Sequence, residues 1–370
     1  MVRGRRDGVL IAGGGYAGCL AALAMARHRP DVPLLIVEEQ ARFGGDGFRF
    51  LFAAEAEGEA RTLLAPLVRL HWPGYYFALP GSSRKLKAEI GGIAPGALHE
   101  AMVAALRPDQ YRLGVKVVAV RDDALVLDGG EEIRAEGAID ARGAANLSML
   151  ELLHETRVET EYRLPGAHGL DRPVLVDATG DQVAGLHHMQ VFPLAPDRLL
   201  IADVAVGERI EPDGQAPERI AAYVARRGWR EARMEATWSR SHPLPIGGDI
   251  DAFWRIGGAR AARLGLRGGF VQPVTGRTIG DAARMAMLLA EQRDYGGAAL
   301  HETFEERAKQ LWRQREPLRA VNAALAAADG DGRRALLARL YGLESAFLAR
   351  FQAGDLGMVD RMKLQRALRG

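Results

Sequence analysis

The stretch from Asp7 to Glu39 constrains the fold more than any other part of the chain. A short apolar run, Val9-Leu10-Ile11-Ala12, reads as a buried strand, and Gly13, Gly15 and Gly18 follow it in G-x-G-x-x-G spacing. The Ala-rich segment Leu20 to Arg27 reads as a helix, and a second apolar run, Leu34 to Val37, ends at Glu38. Each glycine has its own physical job. Gly13 permits the tight strand-to-helix turn, Gly15 lets backbone approach a pyrophosphate, and Gly18 lets the helix pack close on the strand. The helix N-terminus offers free N–H groups and partial positive charge to the phosphates. Glu38 stands 20 residues beyond Gly18, the distance expected of an acid that hydrogen-bonds an adenosine ribose. Glu39 competes for that role, and strand alternation favours Glu38. The glycine spacing alone is a weak signal; inside a strand–helix–strand unit with the acid in place, it predicts a dinucleotide site.

Composition removes several function classes. The chain has 370 residues, with 49 Lys and Arg against 47 Asp and Glu, and the formal charge of +2 is too balanced for a nucleic-acid binder. Hydrophobic content of 48% is that of an ordinary globular protein. Cys19 is the single cysteine, which excludes an internal disulfide framework and a thiolate metal cluster; on the first helix it reads as a small buried residue. The basic start Met1 to Arg6 leads into the first strand and its glycines, so it does not read as a signal peptide. No run of eighteen apolar residues is present, so no membrane span is expected. The expected compartment is the cytoplasm or the inner face of the membrane, and no sequence feature assigns an oligomeric state.

Further along, Gly44-Gly45-Asp46-Gly47 follows the acid at the distance at which FAD enzymes bend their chain past the flavin; a plain turn is the competing reading. Phe48 to Phe52 suggests a strand edge or cavity wall. Glu55 to Val68 has helical spacing, and His71 to Phe77 is an aromatic cluster outside it. Arg84-Lys85-Leu86-Lys87 reads as a solvated basic face, and Pro95 to Leu106 as an amphipathic helix. Short strands at Val115–Val120, Ala124–Leu127 and Ile133, separated by Asp/Gly turns, form a meander. It leads into Gly137-Ala138-Ile139-Asp140-Ala141-Arg142-Gly143, a strand whose closing turn, Asp140 to Gly143, is expected near the cofactor. This order resembles the glutathione-reductase class of FAD domains. No second G-x-G-x-x-G follows a strand, so a nicotinamide would visit only transiently.

Glu155 to Arg163 alternates as an edge strand would, and strands at 173–179, 188–194 and 198–206 complete an expected antiparallel sheet. Pro217 to Gly228 reads as a helix, and Pro243-Leu244-Pro245 returns the chain to the first domain. A glycine-rich turn containing Gly269, Pro273 and Gly276 precedes a helix from about Ile279 to Arg293, whose N-terminus would face the flavin's pyrimidine edge. The predicted fold is α/β. It combines a glutathione-reductase-type FAD-binding Rossmann-like domain (1–50, 90–148 and 260–298) with an inserted antiparallel β-sheet substrate domain (51–89 and 149–259) and a helical C-terminal region (299–370). The expected cofactor-binding set is Gly13, Gly15, Gly18, Glu38, Gly45, Asp140, Gly143, Gly269, Pro273 and Gly276.

From about Gly8 to Leu356 the chain resembles the bacterial lycopene β-cyclases. The matching pieces include L-I-A-G-G-G-Y-A-G (10–18), F-G-G-D (43–46), A-I-D-A-R-G-A (138–144) and H-G-L-x-x-P-V-L-V-D-A-T-x-D-Q (168–182). Others are P-L-A-P-D-R-L-L-I-A-D (193–203), L-R-G-G-F-V-Q-P-V-T-G (266–276) and R-F-x-A-G-x-L (350–356). The resemblance implies FAD-dependent, non-redox cyclisation of an acyclic carotenoid. An acid protonates the terminal double bond, reduced flavin stabilises the carbocation, and NADPH serves only as a transient reductant. It also implies a hydrophobic polyene substrate reached by peripheral membrane contact. The C-terminal Arg361, Lys363, Arg366 and Arg369, interleaved with Met362, Leu364 and Leu368, offer a surface for that contact.

The departures from the family pattern are concentrated around the expected substrate site. Ala202 stands where the family has the Glu proposed as acid–base catalyst, and alanine cannot move a proton. Asp203 is adjacent, but neighbouring strand residues face opposite ways; Asp46 and Asp181 are the alternative candidates for a compensating acid, turn-capping being the competing role for both. Arg49 and Arg277 replace uncharged residues and are candidates for binding an anionic group. His187-His188 has no evident third partner, so no metal is assigned. The alternative function is a diverged FAD-dependent monooxygenase or oxidoreductase on another lipid-like substrate, or a catalytically silent FAD-binding relative.

Overall fold

The computed structural model describes residues 7–45, 47–182, 185–208, 211–257 and 260–369. In chain order β1 (Val9–Ala12), α1 (Tyr16–His28) and β2 (Leu34–Val37) form the opening unit. They are followed by β3 (Arg49–Phe52), α2 (Gly58–Leu64), β4 (Leu70–Leu79), β5 (Ser82–Ile93), α3 (Ala97–Ala105) and β6 (Tyr111–Arg112). The meander is β7 (Val117–Val120), β8 (Ala124–Leu127) and β9 (Glu132–Arg134), then β10 (Gly137–Asp140). Next come β11 (Leu150–Arg163), β12 (Val174–Asp177), β13 (Leu186–Ala195), β14 (Arg198–Gly207), α4 (Ala216–Arg226) and β15 (Arg233–Gly248). The remainder is α5 (Ile250–Arg255), β16 (Ala262–Arg263), α6 (Ile279–Ala290), α7 (Gly297–Gln314), α8 (Glu316–Ala327), α9 (Gly330–Tyr341), α10 (Ser345–Ala353) and α11 (Met358–Arg369).

Two sheets carry the α/β architecture. The first has five parallel strands in the order β16-β10-β1-β2-β6. Strand β1 is central and buried along its whole length, which is why its sequence is a continuous apolar run rather than an alternation. Helix α1 lies against it because Gly18 carries no side chain: a Cβ there would stand 2.0 Å from the Gly13 carbonyl oxygen. Ala17, Ala21 and Ala24 of α1 share one buried core with Ala282, Ala283 and Ala286 of α6.

The second sheet has eight strands in the order β15-β11-β14-β13-β12-β4-β5-β3. It is antiparallel except where β12 pairs with β4. One face packs on α4 through Val158, Ile201 and Ile220. The other buries Phe52, Tyr75, Phe77 and Leu200 against Leu318, Val321, Phe347 and Phe351 of the C-terminal helices. The aromatic cluster of the sequence is therefore largely core, with Phe77 stacked on Tyr341 at 4.1 Å.

One strand expectation is corrected. Glu155 to Arg163 is not an edge: β11 is covered on one side by β14 and on the other by β15. The covering strand was hidden because Pro243 and Pro245 argue against a strand, and at this sheet edge β15 carries both. The basic run at 84–87 lies within the β4–β5 hairpin, where Lys85 pairs with Asp171 at 2.8 Å and Arg84 donates to the Tyr341 carbonyl.

Candidate functional site

A cavity of about 690 Å³ opens where the two sheets meet. Its floor is the β1–α1 turn, with Gly13, Gly15, Tyr16 and Ala17, and its far end holds Glu38 and Glu39. Gly13 has φ +102°, a conformation that disfavours any side chain. The space in front of Gly15 is open, with nothing within 4 Å of a Cβ built there. The N-terminus of α1 thus presents unhindered backbone to the cavity. The Glu38 carboxylate accepts hydrogen bonds from the amides of Gly14 and Gln40, tying the second strand to the turn. Gly276 to Ile279, leading into α6, closes the opposite wall. Two glycine-lined turns, each opening a helix, with an acid at the strand end make a cradle that fits a dinucleotide.

The remaining wall comes from the eight-stranded sheet, and it is charged. Glu155, Arg157 and Glu159 of β11 alternate with buried apolar or hydroxyl residues, so all three project from the same face. Arg240 and His242 of β15 pair directly with Arg157 and Glu155. Two arginines set side by side would repel; the flanking carboxylates offset this. Arg157 lies 3.1 Å from both Glu155 and Glu159, and Arg240 forms a second ion pair with Glu159. His242 Nε2 is 3.7 Å from Glu155, and burial lowers the His242 pKa against the raising effect of that carboxylate. Glu159 and Glu155 are 2% and 5% exposed, so the two carboxylates are largely withdrawn from water.

A narrower, mostly apolar chamber of about 90 Å³ lies behind this wall, lined by Leu175, Val206, Val321, Leu337, Leu340 and Phe351. Phe50, Glu155, Arg157, Thr275 and Arg277 border both spaces. His188 also faces the chamber; burial drops its pKa to about 4, so the ring is neutral. Its Nδ1 has no hydrogen-bond partner among the described residues.

Of the expected cofactor residues, Gly13, Gly15, Glu38, Gly143 and Gly276 line the cavity. Gly18, Gly45, Asp140, Gly269 and Pro273 do not. Gly18 serves helix–strand packing, and Gly45 lies in the loop before β3. Asp140 is buried and pairs with Arg142 at 2.8 Å and Arg267 at 3.4 Å, holding two cavity arginines in place. Gly269 caps a 3₁₀ turn at φ +78°, and the Pro273 carbonyl accepts from Asn322.

The acid candidates fare differently. Asp46 lies outside the described residues. Asp181 is 93% exposed at its side chain, 3.9 Å from Arg334, and away from the cavity. Asp203 pairs across the strands with Val158 and Met189, which pack on the α4 side, so it faces away from the cavity. There it is clamped by His187 at 2.9 Å and Arg219 at 2.7 Å; burial pushes its pKa up, but these bonds outweigh it and the net shift is downward. Ala202 faces the other way, paired with Glu159 and Gln190, and is fully buried without lining either space. Both arginines line the cavity, where Arg277 is held by Glu55 at 2.7 Å and by Gln352. The wall carboxylates Glu155 and Glu159 went unremarked in the sequence, although the period-two spacing Glu155-x-Arg157-x-Glu159 marks three charges on one face.

The family model described as lycopene cyclase protein matches residues 8–368. Lycopene beta-cyclase from Pantoea ananas is 30% identical over 358 residues, covering 96% of this chain and 93% of its own length. The Pseudescherichia vulneris lycopene beta-cyclase is 29% identical over 361 residues, covering 97% and 93%. Among solved structures, a geranylgeranyl bacteriochlorophyll reductase-like protein from Thermoplasma acidophilum superposes with TM-score 0.67 at 13% identity, covering 97% of this chain and 96% of that one. A p-nitrophenol 4-monooxygenase from Pseudomonas putida gives 0.63 at 17%, covering 99% of each. A flavin-dependent brominase gives 0.61 at 14%, covering 98% of each. At these identities the structural likeness is one of fold.

Proposed function

The chain belongs to the lycopene cyclase family, and from that premise we propose that it is a flavoenzyme holding FAD in the cavity between its two sheets and acting on an acyclic carotenoid or similar long polyene. The observation that supports this reading is the adjacency of the two spaces. The cradle fitting a dinucleotide and the mostly apolar chamber share Phe50, Glu155, Arg157, Thr275 and Arg277 as lining residues. Gly13, Gly15 and the α1 N-terminus would hold the pyrophosphate, Glu38 the ribose, and the α6 N-terminus would face the flavin ring. Bound reduced flavin supplies negative charge able to stabilise a developing carbocation, and a transient NADPH would maintain its reduction.

The residues of this chain supply the rest. The apolar lining of the chamber would receive one end of the chain. Glu155 is a carboxylate bordering both cavity and chamber, 3.1 Å from Arg157, and it is the group placed to exchange a proton with a substrate seated there. It replaces Asp181 and Asp203 in that role.

The test has two parts. Purified protein should carry one FAD per chain, and Gly15→Val, which fills the open space over the turn, should abolish the flavin absorbance. Retention of full absorbance by that variant would place the cofactor elsewhere. In a host that accumulates acyclic carotenoids, consumption of polyene should fall about 10²–10⁴-fold in Glu155→Gln, with FAD content unchanged. An unchanged rate would remove Glu155 from the chemistry.

A further inference from the structure

The chamber behind the charged wall is mostly apolar, and one of its few polar groups is unanswered. Leu186, His188 and Gln190 alternate along β13 and all three line the chamber, so the His188 side chain projects from the chamber face of that strand. His188 is 6% exposed and does not border the cavity assigned to the cofactor. Hydrogen bonds fix its tautomer. Arg157 Nη2 donates to Gln190 Oε1 at 2.8 Å, which turns the Gln190 amide nitrogen towards His188. That nitrogen lies 3.3 Å from His188 Nε2 and can only donate, so Nε2 accepts. Burial keeps the ring neutral, and its one proton is therefore on Nδ1. Nδ1 has no partner among the described residues. Other polar groups of the chamber are engaged: Glu155 with Arg157, Arg277 with Glu55, and Gln352 with Tyr341. Thr275 Oγ1 is also unpartnered, but Thr275 borders the cavity as well, where the cofactor can meet it. A buried N–H left without an acceptor carries the full cost of its desolvation.

We propose that His188 Nδ1–H is a subsite for a neutral oxygen, and that the polyene end seated in the chamber carries a hydroxyl or carbonyl group. The proposal rests on the chamber receiving one end of the chain. The oxygen would accept from Nδ1, while the apolar carbons beyond it lie against Leu337, Leu340 and Phe351. A neutral imidazole offers no ion pair, and Glu155 borders the same chamber, so an uncharged acceptor suits the site and a carboxylate does not. A hydrocarbon end has nothing to offer Nδ1 and would leave the donor desolvated. Holding the oxygen on β13 would also set which carbons of the chain lie beside Glu155 on β11.

The experiment measures pseudoionone, an acyclic conjugated methyl ketone, against the hydrocarbon in which a methylene group replaces its carbonyl oxygen. Both are partitioned from the headspace into FAD-loaded protein. Water solvates the ketone better, so the readout is the change in the ketone-to-hydrocarbon affinity ratio between native protein and variant. His188→Leu should lower that ratio about ten-fold. His188→Asn, whose amide can present an N–H close to the position of Nδ1, should keep part of it. The carbonyl stretch of the bound ketone should lie below its value in hexane and return towards it in His188→Leu. An unchanged ratio in His188→Leu overturns the proposal, since Nδ1 is then served by a water that the ligand does not displace. Should His188→Leu fail to fold, His188→Met reads the same ratio. Uptake of neither probe by the native protein shows instead that the chamber is not the seat of the substrate, and the proposal falls with that reading.

Discussion

Substituting Ala202 by Glu introduces the residue type that the sequence resemblance implies for this position, and the sheet register determines its consequence. Ala202 is paired directly with Glu159 across the β11–β14 ladder and is 0% exposed. Directly opposed Cβ atoms lie about 5 Å apart, so the two carboxylates would come within roughly 6 Å. At an effective dielectric constant of about 20, that repulsion is worth about 3 kcal/mol. Forcing the added volume into a packed sheet face costs a further ~1–3 kcal/mol at every pH.

The two contributions separate by pH. The repulsion raises the folded-state pKa of the new carboxyl by about 2 units above its unfolded value of about 4.3. A carboxyl whose pKa is raised on folding costs nothing while protonated in both states, so the electrostatic penalty is absent below about pH 4.3. It grows as pH rises and is complete above about pH 6.5. Ala202→Gln carries the volume without the charge. Urea unfolding of both variants should show them equally destabilised at pH 4.5, with Ala202→Glu lower by about 2–3 kcal/mol at pH 8. Equal stabilities at pH 8 would refute the reasoning, because they would mean that position 202 does not meet Glu159.

Three further outcomes are expected. His188, held neutral by burial with a pKa of about 4, contributes stability that is complete above its ordinary 6.5 and is lost as pH falls towards 4, roughly 3 kcal/mol in all; His188→Gln should flatten that pH dependence in urea titrations. Asp281 is buried, yet Arg315 and Arg284 hold its pKa down at about 2. Asp281→Asn strands a buried guanidinium and should cost about 3–5 kcal/mol at pH 7, a difference that denaturant midpoints would register. Met358, Val359 and Met362 are 81%, 66% and 56% exposed on α11, so replacing all three by Ser should reduce flotation with anionic liposomes without altering the melting temperature.

The first βαβ unit and the meander were legible because local rules fix them. The glycine spacing, the apolar runs and the Asp/Gly turns each act over a few residues. The substrate sheet was legible only in part, since its pairing joins strands far apart in sequence. Strand β15 carries Ser239, Arg240, Ser241 and two prolines, and nothing local distinguishes it from a connection; its identity depends on β11, about 80 residues earlier, being available to pair. The same dependence hid the charged wall, because Arg240 and His242, which complete the pairing of Glu159 and Glu155, sit on β15. On α11, Leu364 was read as a surface contact but is fully buried, whereas Met362 is exposed and shares the exposed apolar face with Met358 and Val359.

That register also bears on how Ala202 should be read. A catalytic glutamate deleted from a preserved pocket would leave a void at the wall, yet Ala202 borders neither the cavity nor the chamber. Its neighbours close over it: Glu159 on one side, Gln190 on the other, with Arg157 bonded to both of them. A carboxylate at 202 and another at 159 would compete for the same arginines and the same volume. The wall can hold one of them, not both, without a cost of several kcal/mol. The presence of Glu159 in its paired position and the absence of an acid at 202 are therefore one arrangement. On the proposed function, a carboxylate exchanging a proton at this wall would be one on β11, Glu155, held beside Arg157.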